Sequence, residues 1–93
     1  MDNLIRLEHV KSRSNISNLV ITENDLALAK SNERYVQYVN PSQIVNIRTR
    51  WFKLHSNGKE YEFNIITFSS GEAILTTYTV EQILEKIEGK PKK

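Results

Sequence analysis

The sequence predicts an α+β fold: a strongly curved antiparallel sheet or small β-barrel with a C-terminal helix. Three observations point there. Helical periodicity is clear only at the end of the chain. The middle is a series of β-branched and aromatic segments broken at glycine turns. Within those segments the inside–outside alternation slips, as it does where a sheet curls.

The helix is the most legible element. Thr79-Val80-Glu81-Gln82 has capping-box spacing, so the Thr79 hydroxyl can accept from the Gln82 N–H while the Gln82 side chain reaches back. Val80, Ile83, Leu84 and Ile87 fall at i, i+3, i+4 and i+7, on one face. Gly89 and Pro91 then stop the helix, which is expected over Val80–Glu88.

Upstream, Asn57-Gly58 separates Trp51-Phe52-Lys53-Leu54-His55 from Tyr61-Glu62-Phe63-Asn64-Ile65. The pair predicts a type I′ hairpin turn, with positive φ at both residues. Ser70-Gly71 makes a second turn, between Ile66-Thr67-Phe68 and Ala73-Ile74-Leu75-Thr76-Thr77-Tyr78, giving a three-stranded antiparallel meander. Ile47, Thr49 and Trp51 share one parity while Phe52 and Leu54 share the other. Tyr61, Phe63 and Ile65 likewise give way to Ile66 and Phe68. Such a slip means either a bulge or burial on both faces.

In the first half, residues 4–10 and Tyr35–Val39 read as strands. Asn40-Pro41 ends the second of these, because proline has no N–H for the ladder. Pro41-Ser42-Gln43 then suits one helical turn leading into a strand over residues 44–50. Residues 18–30 admit two readings: a hairpin with the polar tip Glu23-Asn24-Asp25, which is preferred, or a short helix capped by Thr22 and carrying Leu26, Ala29 and Lys30. Trp51, Leu54, Phe63, Phe68, Ile74, Ile83, Leu84 and Ile87 are expected to form most of the core.

With 93 residues the chain makes one β-rich domain over residues 1–89, and residues 90–93, Lys-Pro-Lys-Lys, read as a basic disordered tail. Apolar residues are 39% and charged residues 26%, enough for a small core and too apolar for wholesale disorder. The absence of cysteine removes disulfides, thiolate metal sites and a cysteine nucleophile. A secreted domain of this size normally needs such staples, so a cytoplasmic setting is expected. No apolar run reads as a signal peptide or a bilayer span, and no membrane role is expected.

Catalysis is poorly supplied, and no enzyme is expected. His9 and His55 are the only histidines. Ser56 beside His55 cannot form a nucleophile–base pair on a strand, because neighbours point to opposite faces. The two histidines lack metal-site spacing, so neither a metal nor any cofactor is expected. Glu60 and Glu62 share a strand face, which reads as the polar face of a half-solvated strand. The three glycines are two turn residues and a helix stop, not a phosphate loop.

Charge placement is more informative. No acidic residue lies between Glu33 and Glu60, an interval that holds Arg34, Arg48, Arg50, Lys53 and Lys59. Arg48, Arg50, Trp51, Lys53 and Lys59 are the candidate nucleic-acid-binding residues: cations meet phosphates, and aromatic rings stack on unpaired bases. Arg48 and Arg50 share a face with Asn46. A basic stripe also serves to keep an edge strand from aggregating.

The run from Val39-Asn40-Pro41-Ser42-Gln43-Ile44-Val45-Asn46-Ile47, through a hairpin and Ile66-Thr67-Phe68-Ser69-Ser70-Gly71-Glu72-Ala73-Ile74, to residues 80–87 resembles the layout of small orphan β-rich accessory proteins of phages and mobile elements of Gram-positive bacteria. A similar layout occurs in small flagellar-operon proteins. The resemblance covers about half the chain and implies a compact accessory protein; it assigns no site residue. Two functions follow as expectations. One is a regulatory protein contacting RNA or single-stranded DNA through the acid-free window. The other is a protein-interaction module, as a homodimer or with another protein, using the free edge of Tyr35–Val39.

Overall fold

The structure, a computed structural model, describes residues 4–13, 19–31 and 34–88. The expected stop at Gly89 and Pro91 and the basic tail lie outside the described residues. The element order is β1 (Ile5–His9), β2 (Lys11–Arg13), β3 (Val20–Ile21), α1 (Glu23–Ala29), β4 (Tyr35–Val39), a 3-10 turn (Pro41–Gln43), β5 (Ile44–Leu54), β6 (Glu60–Phe68), β7 (Ala73–Thr76) and α2 (Val80–Glu88). The α+β class holds, with a strongly curved five-stranded sheet in the order β2-β7-β6-β5-β3 and a separate two-stranded sheet of β1 and β4. The larger sheet is open, since no pairing joins its outer strands among the described residues. It is also mixed: β3 runs parallel to the end of β5.

Burial on both faces of this sheet explains the parity slip. On β5 and β6, Arg50 lies opposite Phe63 and Phe52 opposite Tyr61, whereas Ile47 lies opposite Ile66. One face carries Phe52, Leu54, Phe63, Ile65, Ala73 and Leu75, packed with Val10, Ile21 and the α1 residues Leu26, Leu28 and Ala29. The other carries Ile66, Phe68 and Ile74, packed against Leu7 and Val39 of the small sheet and Ile83 of α2. Three layers result: α1, the large sheet, then the small sheet with α2. The ladder bulge lies elsewhere, between Ile44 and Asn46.

Several expectations are corrected. Trp51 is 56% exposed and Leu84 44% exposed, so neither belongs to the core. Trp51 falls on a stretch of the second face that neither α2 nor the small sheet covers. Ile87 is only partly buried against the second cluster. Leu54, Phe63, Phe68, Ile74 and Ile83 are buried, together with the unanticipated Leu7, Val10, Ile21, Val39, Phe52, Ile65, Ile66 and Leu75. Residues 23–29 form a helix, not a hairpin. The Thr22 hydroxyl accepts from the Asp25 N–H at 3.1 Å, and an Asp25 carboxylate oxygen accepts from the Thr22 N–H at 3.0 Å. This is the same reciprocal cap that Thr79 and Gln82 make at α2.

The Asn57-Gly58 turn is not type I′, because only Gly58 and Gly71 have positive φ among the described residues. The Gly58 N–H donates to Leu54 O and the Leu54 N–H to Lys59 O, closing a longer loop in which Gly58 alone takes the left-handed conformation. Gly71, at φ 95°, makes the second turn as expected. No described helix is long and apolar enough to cross a membrane.

Candidate interaction surface

The two-face geometry divides the basic window. Arg48 and Arg50 point to the α1 side of the sheet, opposite Ile65 and Phe63. Trp51 and Lys53 point to the other side, where Trp51 faces Glu62 and Lys53 faces Glu60. The aromatic ring and the two arginines therefore do not share a surface, and two carboxylates offset the charge beside the ring. Lys59 is exposed in the loop after β5.

Arg34 has a structural task. It donates to the Ala29 and Ser31 carbonyls at 3.3 and 3.0 Å, satisfying the end of α1. It also reaches Glu8 at 3.3 Å, while Arg6 holds the other Glu8 oxygen at 2.7 Å. The hydrogen bond to Glu8 raises the Arg6 guanidinium above its ordinary value.

Arg48 is different. It is half-buried, and its Nε is covered by protein with no acceptor among the described residues. Arg50 is exposed beside it and donates to its neighbour, the Thr49 carbonyl. Along residues 44–52 no described strand pairs with the outer edge of β5; β3 meets it at Lys53 and Leu54.

A second open edge is that of β4, which among the described residues pairs with β1 on one side and with no strand on the other. Hydrogen bonds on β1 reveal which β4 groups face outward. The Glu8 N–H donates to the Tyr78 hydroxyl at 3.3 Å, and the Glu8 carbonyl accepts from Thr76 Oγ1 at 2.8 Å. Both backbone groups of Glu8 thus point away from β4, so Glu8 and Val36, which are register partners, form a non-hydrogen-bonded pair. By the alternation of an antiparallel ladder, Val36 and Tyr38 aim their N–H and C=O groups at the free edge.

This strand, Tyr-Val-Gln-Tyr-Val, has no charge, and Tyr35, Val36 and Tyr38 are 59%, 41% and 61% exposed. At its centre Gln37 lies opposite Leu7, and its buried Oε1 has no hydrogen-bond partner among the described residues. Where the strand begins, a cleft of about 390 Å³ opens between α1 and β4, lined by Asn24, Ala27, Leu28, Ser31 and Tyr35. Sequence reasoning found the strand but not its exposed side chains or its outward-facing backbone. The lack of charge across five residues was the legible signal.

Among the described residues no three His, Asp or Glu side chains gather around one point where a metal ion would fit. Comparison with protein families, with characterised proteins and with solved structures finds no match.

Proposed function

We propose that this chain is a small non-enzymatic regulatory or accessory protein that acts as a protein-interaction module, taking an extended segment onto the free edge of β4. The observation that carries the reading is the undefended edge: backbone groups of Val36 and Tyr38 directed outward, no charge, and three exposed apolar side chains. Strand addition gains affinity from main-chain hydrogen bonds and specificity from pockets beside the edge. The cleft at Tyr35 is a pocket in that position. Val36→Pro deletes one outward N–H and leaves the β1 ladder intact, because that N–H does not point toward β1. A soluble peptide of alternating Thr and Val should shift the Val36 and Tyr38 amide resonances of the parent, and the proline variant, still folded by circular dichroism, should lose most of that binding. Equal binding by both proteins would sink the reading.

A second reading, contact with RNA or single-stranded DNA, is favoured by Arg48: a half-buried cation whose Nε has no acceptor among the described residues, next to the exposed Arg50. Each phosphate neutralised on a single strand contributes about 0.7 to the slope of log affinity against log salt. Arg48→Gln with Arg50→Gln should therefore flatten that slope by about 1.4 for an oligonucleotide. An unchanged slope would reject this reading.

A further inference from the structure

We infer that the segment seated on β4 is β4 of a second copy of this chain, paired antiparallel about a two-fold axis through Gln37. This deepens the strand-addition reading and rests on it. Centring the pair on Gln37 is the register that uses all five residues of the strand, matching Tyr35 with Val39, Val36 with Tyr38, and Gln37 with its own copy.

The ladder phase fits that register. Val36 and Tyr38 carry the outward N–H and C=O groups, so each Val36–Tyr38 pair exchanges two hydrogen bonds, four in all. The side chains fit as well. Tyr against Val is a favourable cross-strand pairing, and with no charge on the strand no like charges meet across the axis. At the axis the two Gln37 side chains stand opposite each other. The amide Oε1, which has no donor among the described residues of one copy, once rotated toward the edge can accept from the amide of the other.

The product is a four-stranded sheet, β1-β4-β4-β1, in place of a two-stranded one, and an isolated two-stranded sheet is the least self-sufficient kind. Five residues a side make a small interface, so the dimer should be weak, with Kd on the order of micromolar to millimolar.

The phase also makes Gln37 a non-hydrogen-bonded pair with itself, where Cα atoms approach to roughly 4.5 Å, within disulfide range. Since the chain has no cysteine, Gln37→Cys introduces a lone thiol. The full chain should sediment as a monomer–dimer equilibrium up to about 1 mM protein. Val36→Lys with Tyr38→Lys, which sets like charges directly opposite in both pairs, should abolish the dimer without changing the circular dichroism spectrum. Mild oxidation should link Gln37→Cys into a covalent dimer and leave Tyr35→Cys, which faces Val39 of the other copy, largely unlinked.

A monomer at every concentration would overturn self-pairing. So would a dimer that survives the double lysine change, or one in which Gln37→Cys stays unlinked. The Thr/Val peptide separates the two levels. If the chain is monomeric but the peptide still shifts the Val36 and Tyr38 amides, strand addition stands and only the second copy falls; if the peptide also fails to bind, both fall.

Discussion

Among the described residues, the edge of β4 and the edge of β5 along residues 44–52 are built in opposite ways. The β5 edge places Arg48 and Arg50 along the strand and a bulge between Ile44 and Asn46 near its start. Charges and bulges are both means by which sheets discourage another strand from adding on. The β4 edge has neither: its five residues are uncharged and its ladder with β1 is regular. One chain thus carries a guarded edge and an unguarded one, and the unguarded edge is where exposed aromatic side chains concentrate. The basic stripe that sequence alone offers as a nucleic-acid footprint lies, in its structural setting, along the part of β5 that no described strand pairs, where charges discourage strand addition.

The comparison breaks most severely where the scaffold under the guarded edge is removed. Phe52 is 1% exposed and meets the Phe63 ring edge-on at 5.7 Å, while Trp51, one residue earlier, lies on the uncovered part of the opposite face. Phe52→Ala should cost about 3–5 kcal/mol, and Trp51→Ala less than about 1 kcal/mol, in urea denaturation. Similar losses for the two would contradict the facing of β5.

A smaller effect is expected at α1, the layer that backs Phe52. Thr22→Ala removes the hydroxyl that accepts from the Asp25 N–H and should cost about 1 kcal/mol. Hydrogen exchange should quicken in residues 23–29 and stay unchanged across β4, whose ladder partner is β1.

The smallest change in stability separates the edges directly. Arg48→Val with Arg50→Val should not lower unfolding free energy by more than about 1 kcal/mol, because Arg50 is exposed and the change at Arg48 removes a covered donor that has no acceptor among the described residues. The same double variant should raise light scattering at high protein concentration, since the β5 edge then resembles β4. No rise would show that the arginines are not guards.

How much of this was legible follows from the range of the forces involved. The α2 cap, the turn at Gly71 and the end of β4 at Asn40-Pro41 depend on residues within four positions of one another, so the sequence by itself determined them. Thr22-Glu23-Asn24-Asp25 belonged to the same class. Its capping spacing is local too, and the reciprocal Thr22–Asp25 cap is what makes this segment a helix and not the expected hairpin. The choice between Trp51 and Phe52 as the buried ring was not local. Both are large and aromatic, and β5 changes its buried face along its length because α1 covers one end of one side while α2 and the small sheet cover the other end of the opposite side. The parallel pairing of β3 and the separation of Arg48 and Arg50 from Trp51 and Lys53 arise in the same way. The sequence determined the caps and turns that neighbouring residues make; the tertiary structure alone decided which faces and edges remain open, because that depends on layers contributed by residues distant in the chain.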